Sequence, residues 1–493
     1  MAMDIQANGL HFAVFPFMQQ GHLIPMIDIA KLLAQRGVII TIFTTPLNAA
    51  RFKATVDRAV ESGLQIQILQ LQFPCVEAGL PEGCENVDKL PSLESLPKFY
   101  TAVEMLQEQV EKAFVQLKPK PNCIISDMHI PYTPHIAGKF NIPWIAFHGM
   151  GCFGFVCWRN VFFSNVLEGI TSDSEYFAIP GLPDKVEFTK PQVTSPGQQM
   201  KAVWEKLDAV HESAYGAIVN SFEELEPAYV KEYRKIKQDK LWCIGPVSLH
   251  NKDYLDRAER GKKASVDEHT CLNWLDSKNP RSVIYACLGS LNNLILSQLI
   301  ELGLGLEASN RPFIWVIRDG ETSKELQKWA IEDGFEERIK GRGLVIWGWA
   351  PQVLILSHPS IGGFLTHCGW NSVLEGISAG LPLLTWPQFG DQFIDEKFLV
   401  QILKIGVRVG VEKPMEWEEK QSFEVLINRD DVKNAVGKLM DEGKEGEDRR
   451  ERARELGKLT KMAVQEGGSS HHNITLLIED IMKQEHSKNQ PIE

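Results

Sequence analysis

Short apolar runs alternate with helix-length amphipathic segments along almost the whole chain, and this alternation limits the possible folds more than any other property. The first repeat joins an apolar run at 10–17 to a stretch in which apolar residues recur at helical spacing from Met26 to Leu33. Gly37 can end that helix, and a β-branched run follows at 38–45. A strand, a helix and a strand with short connections form a right-handed βαβ unit of a parallel sheet.

The same pattern continues in both halves of the chain. Further strand-length apolar runs occur in the first half at 64–72, 122–126 and 142–147, and in the second half at 282–290, 311–318, 344–349, 361–367 and 381–387. Continuous apolar strands separated by helices are typical of parallel sheets that are covered on both faces. We therefore expect an α/β protein with two Rossmann-like, doubly wound parallel-sheet domains that face each other across a cleft.

A change in composition near the middle of the chain indicates where the two domains are joined. That segment is rich in charge and poor in periodic apolar residues, as expected of an exposed connection. This predicts an N-terminal domain at 1–246, a linker at 247–270 and a C-terminal domain at 271–470. The remaining residues, 471–493, are predicted to form a helix and tail that pack back on the N-terminal domain.

Charge and cysteine content exclude several classes of function. The chain has 493 residues, and its 52 Lys and Arg against 64 Asp and Glu give a net charge of -12. This balance gives no support to a broad nucleic-acid or anionic-membrane surface. Nine cysteines without a C-x-x-C pair argue against a disulfide framework or a zinc ribbon. No segment has the pattern of a signal peptide or about 18 continuous apolar residues, so we expect a soluble, cytoplasmic protein without a membrane segment.

Residues suited to chemistry are concentrated between 349 and 392, and neither a dinucleotide fingerprint nor a P-loop occurs in the sequence. There a strand ends at His367, and a tight turn leads to a helix start with Asn371 and Ser372. Backbone N–H groups and the positive end of the helix dipole can hold a phosphate at such a start. The alternative from the residues alone is that Asn371 or Ser372 only caps the helix, with Ser372 and Glu375 as a capping box.

The segment from Trp349 to Gln392 resembles the plant secondary product glycosyltransferase box of the plant family 1 UDP-dependent glycosyltransferases. The similarity extends over essentially the whole chain and includes the stretches FPFMQQGHLIPM, SDMHIPYT, FHGMGCF and WLDSKNPRSVIYACLGS. These flanking stretches are similar to the branch that glycosylates triterpenoids, steroids and flavonoids. The resemblance implies a GT-B fold, with an acceptor-binding N-terminal domain and a UDP-sugar-binding C-terminal domain.

The resemblance also implies which residues bind the donor. In the order uridine, ribose, diphosphate and sugar, they are Trp349, Ala350 and Gln352; Glu375; Ser290, His367, Asn371 and Ser372; and Asp391 and Gln392. Gly21 and Trp370 are also expected to bind the donor. The Trp349 ring would stack on uracil, and Glu375 would accept both ribose hydroxyls. The helix dipole and His367 would carry the charge of the leaving UDP, so the resemblance implies neither a metal nor a cofactor.

A catalytic base is predicted in the first half of the chain. His22 follows the first strand at the carboxyl edge of the sheet, and Asp127 ends another strand at the same edge. A neutral imidazole with a pKa of about 6.5 can take a proton near neutral pH, and a carboxylate can fix its tautomer. From the residues alone, His22 can instead be a structural loop histidine. The family uses a His and an Asp at these places, which implies inverting transfer without a covalent enzyme intermediate.

The expected substrates also follow from the resemblance. Trp370 and Gln392 match the pattern of glucose users, so UDP-glucose is the expected co-substrate, with UDP-glucuronic acid as the alternative. The expected acceptor is a lipophilic triterpenoid or sapogenin, with flavonoids and other phenolics as alternatives. Six residues are predicted to line the acceptor pocket: Phe17, Met128, His148, Gly149, Phe389 and Gly390. We expect a monomer whose partners are these small molecules, without a nucleic-acid partner.

Some positions depart from the family pattern. The family commonly reads W-P-L-F-A-D-Q-F-C-N-E-K, where this chain has Gln388, Gly390, Ile394 and Asp395. Gly390 removes a methyl group beside the sugar-binding pair and frees the backbone φ. Gly149 stands where flavonoid-type members carry a Thr that contacts the sugar. The alternative from another functional class is a non-catalytic nucleotide-sugar or terpenoid binding protein on the same fold.

Overall fold

The computed structural model describes residues 9–193, 198–258, 260, 265, 268–290, 294–415 and 425–488. Contacts within the chain group it into two compact units. The first unit is drawn from Met1–Cys152, Pro196–Lys252 and Met462–Glu493, and the second unit from Phe153–Ser195 and Asp253–Lys461.

Strands and helices alternate through the described residues. The strands are β1 His11–Phe15, β2 Ile39–Thr44, β3 Ile66–Gln70, β4 Cys123–Asp127, β5 Trp144–His148, β6 Tyr176–Ala178, β7 Glu187–Thr189, β8 Gly216–Val219, β9 Leu241–Cys243, β10 Val283–Cys287, β11 Phe313–Ile317, β12 Gly343–Trp347, β13 Ile361–Thr366, β14 Leu383–Thr385 and β15 Gly406–Arg408. The α-helices are α1 Gln20–Gln35, α2 Pro46–Glu61, α3 Leu96–Glu104, α4 Gln107–Gln116, α5 Thr133–Phe140, α6 Cys152–Phe163, α7 Lys190–Val193, α8 Gln198–Glu212, α9 Pro227–Ile236, α10 Tyr254–Ala258, α11 Glu268–Asp276, α12 Leu296–Ala308, α13 Glu321–Glu332, α14 Phe335–Ile339, α15 Gln352–Leu356, α16 Trp370–Ser378, α17 Gln392–Lys397, α18 Arg429–Leu439, α19 Lys444–Val464 and α20 Ser469–Lys488.

The sheet of the first unit has seven parallel strands in the order β3-β2-β1-β4-β5-β8-β9. Every residue of β1 and β4 is buried, as expected of central strands covered on both faces. The helix α1 buries Met26, Ile29 and Leu33, and Gly37 follows its end with a left-handed φ of 84°. The predicted βαβ repeat is therefore confirmed. The strand order reverses between β1 and β4, so the carboxyl ends of these two strands lie side by side.

The second unit repeats this architecture with a six-stranded parallel sheet in the order β12-β11-β10-β13-β14-β15. Its strand order reverses between β10 and β13, where the carboxyl ends precede Ser290 and His367. An antiparallel hairpin of β6 and β7 belongs to the same unit. The α/β class with two parallel sheets is therefore confirmed.

The grouping of the chain differs from the sequence-based boundaries at one place. Residues 153–195 belong to the second unit, whereas the predicted boundary at 246 put them in the first. The predicted linker contains a 3₁₀ turn at Val247–His250 and the short helix α10, and residues 259, 261–264, 266 and 267 of that prediction lie outside the described residues. The predicted domain boundaries stay a prediction.

The last helix, α20, packs in the first unit. Its apolar residues Ile474, Leu477, Ile478 and Ile481 are buried in the same core as β1 and α1. The side chain of Asn473 donates a hydrogen bond to the carbonyl oxygen of Cys243 at the end of β9, over 3.0 Å. Residues 489–493 of the predicted tail lie outside the described part of the chain. Among the described residues, no helix has the length and apolar composition needed to cross a membrane.

Candidate active site

In the first unit, the adjacent ends of β1 and β4 bring His22 and Asp127 together. β4 ends at Asp127, and His22 lies in the first turn of α1. The Nδ1 atom of His22 is 2.6 Å from Oδ2 of the fully buried Asp127. Because an ionised carboxylate only accepts hydrogen bonds, His22 donates through Nδ1 and its Nε2 atom carries the lone pair. Such an imidazole can remove a proton from a hydroxyl group that reaches Nε2.

The other oxygen of Asp127 is held by His129. Oδ1 accepts a hydrogen bond from the backbone N–H of His129 over 3.0 Å and lies 2.8 Å from its Nδ1. Burial by itself would raise the pKa of Asp127, but attraction to a protonated imidazole and the hydrogen bonds donated by His22 and His129 outweigh it and hold the pKa well below its ordinary value. Burial lowers the pKa of His129, so that ring is neutral and donates through Nδ1.

A glycine leaves room for the ring of His22. A Cβ atom at Gly149 would lie 2.7 Å from Cε1 and 3.0 Å from Nδ1 of His22, which is closer than side-chain carbons approach other atoms. Phe17 meets the same ring edge to face, with 5.8 Å between the ring centroids. Two residues of the predicted acceptor pocket, Phe17 and Gly149, therefore contact the predicted base.

The other predicted acceptor residues lie in different surroundings. Met128 and His148 are buried in the first unit, and Phe389 and Gly390 belong to the second. The ring of His148 lies against the edges of His211, at 4.2 Å, and Tyr233, at 5.9 Å. Burial lowers the pKa of His148 to about 3, so this ring is neutral. His148 is therefore part of a buried aromatic cluster.

In the second unit, the predicted phosphate-binding helix α16 begins at Trp370, with Gly369 as its N-cap. Glycine offers no side-chain cap to the N–H groups of the first turn, and these are the groups that bind phosphate at helix starts. Ser372 lies inside the helix, so the interpretation of Ser372 and Glu375 as a capping box is wrong.

Two glycines enclose the ring of His367, which follows β13. A Cβ atom at Gly289 would lie 2.5 Å from Nε2 of His367, and one at Gly369 would overlap the same atom. Cys368, which stands between His367 and Gly369 in the sequence, has a left-handed φ of 66°, which is uncommon for a residue with a side chain. Burial lowers the pKa of His367 to about 4. At neutral pH the ring is therefore an uncharged hydrogen-bond donor, and the positive element here is the dipole of α16.

Glu375, the predicted ribose ligand, lies in a polar cluster. Its Oε2 accepts a hydrogen bond from Nε2 of Gln352 over 2.7 Å, and the same amide donates to Oγ of Ser372 over 3.2 Å. Tyr285 donates its hydroxyl hydrogen to Oε1 of Gln352 over 3.2 Å. Arg260 forms an ion pair with Oε1 of Glu375, and both side chains are at most 10% exposed. The carboxylate predicted to bind ribose is thus paired with a cation of the same chain.

Trp349, predicted to stack on uracil, contacts Ser265, which lies in the same chain segment as the Arg260 that pairs with Glu375. The backbone N–H of Trp349 donates to Oγ of Ser265, and the N–H of Ser265 donates to the carbonyl oxygen of Trp349, each over 2.8 Å. A Cβ atom at Gly348 would overlap Oγ of Ser265, so glycine is required for this approach. Ala350 is buried directly after Trp349.

The predicted sugar ligands are adjacent at the start of α17. Asp391 is the N-cap of this helix, and Gln392 is its first residue. Oε1 of Gln392 accepts hydrogen bonds from the N–H groups of Gln388, over 2.9 Å, and Phe389, over 3.3 Å. Gly390 has a left-handed φ of 63°, so the glycine that departs from the family pattern matches a backbone conformation that alanine adopts with strain.

Sequence reasoning missed two charged or polar groups of the site. His129 stands two residues after Asp127 in the loop that follows β4, so a second imidazole beside the predicted carboxylate was the available signal. Arg260 lies in the charge-rich segment that was assigned to the linker, where nothing distinguishes it from its charged neighbours. The ligand-type atoms of His22, Asp127 and His129 lie within 4.8 Å of one another, a spacing that a metal ion could also use. The hydrogen bonds from both histidines to Asp127 account for this spacing.

Comparison with known proteins shows the family to which the chain belongs. Residues 258–441 match the family model described as UDP-glucoronosyl and UDP-glucosyl transferase. UDP-glycosyltransferase 73C5 of Arabidopsis thaliana is 57% identical over 484 residues, which cover 97% of this chain and 98% of that protein. The chain belongs to the UDP-glycosyltransferase family.

Further UDP-glycosyltransferases resemble it in sequence and structure. UDP-glycosyltransferase 73C25 of Barbarea vulgaris is 56% identical over 490 residues, 98% of this chain and 99% of that protein. The crystal structure of Glycyrrhiza uralensis UGT73P12 complexed with glycyrrhetinic acid 3-O-monoglucuronide is similar with a TM-score of 0.88 and 37% identity over 97% of both chains. Arabidopsis thaliana UGT89C1 complexed with UDP-L-rhamnose has a TM-score of 0.74 at 28% identity, over 96% of this chain and 98% of that chain.

These similarities establish the activity at the level of the family. The fold is the two-domain GT-B α/β fold, as the sequence predicted. This UDP-glycosyltransferase is an enzyme that uses a UDP-sugar as co-substrate and a small molecule as acceptor.

Proposed function

We propose that this UDP-glycosyltransferase moves glucose from UDP-glucose to a hydroxyl group of a triterpenoid or sapogenin, with inversion at C1 of the sugar. The observation that carries the chemistry is the 2.6 Å hydrogen bond between Nδ1 of His22 and Oδ2 of Asp127. It directs the lone pair of Nε2 away from the carboxylate, which is what a general base for a hydroxyl group requires. We also propose that the first unit binds the acceptor and the second unit the UDP-sugar, in a monomer.

In the proposed reaction, Nε2 of His22 takes the proton of the acceptor hydroxyl while the oxygen of that hydroxyl attacks C1 of the sugar. The new oxygen–C1 bond forms as the bond from C1 to the β-phosphate oxygen breaks, and UDP leaves with the electron pair. Asp127 stabilises the imidazolium ion that results. The first turn of α16 and the neutral ring of His367 would bind the diphosphate as its charge grows.

The choice of sugar rests on the second unit. Oε1 of Gln392 is engaged by the N–H groups of Gln388 and Phe389, which leaves its Nε2 amide as the donor to a sugar hydroxyl. Together with Trp370, which is buried at the start of α16, this supports glucose. UDP-glucuronic acid is the second candidate, because the similar structure of UGT73P12 contains a monoglucuronide of glycyrrhetinic acid.

The proposed acceptor class rests on the same similarity. Glycyrrhetinic acid is a triterpenoid, and the UGT73P12 chain is 37% identical to this chain. Flavonoids are the alternative, since the structure of UGT89C1 with quercetin is similar at 27% identity and a TM-score of 0.72.

Mass spectrometry of the products tests the proposed function. UDP-glucose, UDP-galactose and UDP-glucuronic acid are each offered with a panel of triterpenoids, steroids and flavonoids in the presence of EDTA, and the anomer is identified by NMR. We expect a β-glucoside on a triterpenoid. A hexuronic acid adduct, or transfer only to flavonoids, would contradict the proposed substrates. A rate that EDTA abolishes would contradict the metal-independent mechanism.

The role of His22 has its own test. We expect His22→Ala to lower kcat by at least about 1,000-fold, because general base catalysis and the correct proton transfer are lost together. UDP binding, measured by calorimetry, should remain within about twofold, which is below 0.5 kcal/mol. His135→Ala is the matched control, since that side chain is 63% exposed. Near-normal turnover of His22→Ala would show that another group acts as the base.

A further inference from the structure

We propose that His129 is a positioning residue for the reaction: it holds the carboxylate of Asp127 in the orientation that supports the base, His22. This inference rests on the proposed function, because it requires His22 to take the proton.

The two oxygens of Asp127 have different partners, and this division carries the inference. Oδ2 faces Nδ1 of His22 at 2.6 Å, whereas Oδ1 accepts from the backbone N–H of His129 at 3.0 Å and faces its Nδ1 at 2.8 Å. A carboxylate with donors on only one oxygen can rotate about its terminal bond, since that torsion is soft. The two donors from His129 on Oδ1 oppose this rotation and keep Oδ2 directed at His22.

The surroundings of His129 keep its ring in one place and in one protonation state. The ring packs against Phe17, with centroids 5.0 Å apart, and against Tyr100, at 6.4 Å, while His22 meets it edge to face at 4.9 Å. Burial favours the neutral form of His129, and a neutral ring whose Nδ1 faces a carboxylate must carry its hydrogen on Nδ1. Burial therefore favours the form of His129 that donates through Nδ1 to Asp127.

The inference also predicts how readily His22 binds a proton when Asp127 loses a hydrogen bond. Each hydrogen bond donated to Asp127 by another group lowers the negative charge that the carboxylate offers to an imidazolium ion at His22. Removal of the His129 ring donor should therefore stabilise protonated His22. The pH below which turnover is lost should then rise, because the reaction needs His22 unprotonated.

Two other titratable groups near this cluster, Tyr100 and His148, do not change their charge in such a measurement. Burial raises the pKa of Tyr100 well above its ordinary value and lowers that of His148 to about 3. Lys237, whose charge acts on His148, donates a hydrogen bond to the carbonyl oxygen of His211 over 2.7 Å. Tyr100 and His148 therefore keep one protonation state between pH 5 and pH 8 and do not contribute to a change in the profile there.

The test compares two variants of His129 in the full-length enzyme. His129→Phe keeps a planar ring among Phe17 and Tyr100 but removes the side-chain donor, while the backbone N–H remains. His129→Asn retains a donor, because its side-chain amide nitrogen takes the place of Nδ1. The dependence of kcat/KM on pH is measured for both and for the unchanged enzyme with saturating UDP-glucose, with and without EDTA, alongside thermal melting and UDP binding.

We expect His129→Phe to lower the plateau of kcat/KM about tenfold, the loss of one charge-assisted hydrogen bond, and to move its acidic limb about half a pH unit upward. His129→Asn should restore the plateau of kcat/KM to within about twofold of the unchanged enzyme and return the acidic limb to its original pH. Equal profiles for the two variants, or a lower plateau without any movement of the limb, would overturn the inference, because a merely structural role predicts them. EDTA-sensitive turnover would also overturn it, since a metal ion would then hold the cluster.

The His22→Ala variant separates this inference from the proposed function. If His22→Ala keeps its turnover, the proposed base is wrong and the role of His129 falls with it. If His22→Ala loses its turnover while His129→Phe behaves as the unchanged enzyme, only the inference about His129 is wrong. Calorimetric UDP binding and the melting temperature exclude a folding defect in either variant.

Discussion

Glycine sets the position of both histidines that are proposed to act on substrates. The ring of His22 occupies the space that a side chain at Gly149 would need, and Gly289 and Gly369 leave the same kind of space for His367. These glycines are required because another side chain would displace an imidazole. Catalytic groups held at close tolerance lose much of their effect when they are moved by about 1 Å.

The first prediction concerns Gly149. A Cβ atom at this position would lie 2.7 Å from Cε1 of His22, so Gly149→Ala must move the ring of the base. We expect kcat to fall by about 100-fold, with calorimetric UDP binding unchanged. Gly138→Ala is the control, because nothing lies within 4 Å of the Cβ atom added there. Full activity of Gly149→Ala would mean that His22 does not need this position.

The second prediction concerns the buried, neutral His148. In the unfolded chain its pKa is about 6.5, whereas burial lowers the folded value to about 3. Between these two values the unfolded state binds the extra proton, so this residue lowers the free energy of unfolding as the pH falls through that window.

Proton uptake on unfolding measures this effect directly. At pH 5, urea unfolding of His148→Phe should take up about one proton fewer than unfolding of the unchanged protein. At pH 8 the two should take up equal numbers, because the imidazole is then neutral in both states. Equal uptake at pH 5 would show that His148 is protonated in the folded protein.

At the scale of elements, one short segment contacts both the uracil and the ribose parts of the proposed nucleotide site. Arg260 pairs with Glu375 on α16, and Ser265 exchanges two hydrogen bonds with the backbone of Trp349. If the ribose hydroxyls bind to Oε1 of Glu375, the oxygen that Arg260 contacts, the ion pair with Arg260 is weakened when the nucleotide arrives. Binding of UDP then opposes a contact within the protein itself.

The third prediction follows from this competition. Arg260→Ala removes the cation that pairs with Glu375, so UDP should bind about three- to tenfold more tightly. Isothermal titration with UDP measures the change. Arg311→Ala is the control, since that side chain is 38% exposed and its carboxylate partner is 3.7 Å away. Weaker binding by Arg260→Ala would indicate that Arg260 itself contacts the nucleotide.

Elements with a strong apolar pattern were predictable from the sequence, and weak or short ones were not. β1, β10 and β13 fall inside runs of buried apolar residues, so their existence and approximate bounds followed directly. β8 and β9 have only four and three residues, too few to distinguish a strand from a loop. β6 and β7 have three residues each, so the same limit applies to their hairpin.

The same distinction applies to the site. His22 and Asp127 could be predicted as neighbours because parallel strands end at a common edge. The start of α16 could be placed within one residue because a glycine precedes it. The ion pair of Arg260 could not be predicted, because Arg260 is not at the end of a strand or in a helix and its partner Glu375 is 115 residues away in sequence. Pairing at such a distance is decided by the packing of elements rather than by local spacing.

At the scale of the whole molecule, the first unit depends on the C-terminal helix. Ile474, Leu477, Ile478 and Ile481 of α20 are buried in the core of that unit. Each buried aliphatic side chain contributes about 1.5–3 kcal/mol, so the four together approach the total stability of a typical domain, about 5–15 kcal/mol.

The fourth prediction is that deletion of residues 469–493 prevents the first unit from folding. We expect the truncated protein to aggregate and to lose turnover, because the apolar partners of α20 become exposed. Size-exclusion chromatography and an activity assay measure both effects. Deletion of residues 489–493 alone is the control. A monomeric, active protein without α20 would contradict the prediction.

The two units are interleaved along the chain, which passes from one to the other after residues 152, 195, 252 and 461. A laboratory chimera of two relatives with a single junction near residue 252 would therefore not exchange one unit for another. It would leave the hairpin segment 153–195 and the helix α20 with foreign neighbours. Recombination that exchanges whole units therefore needs four junctions.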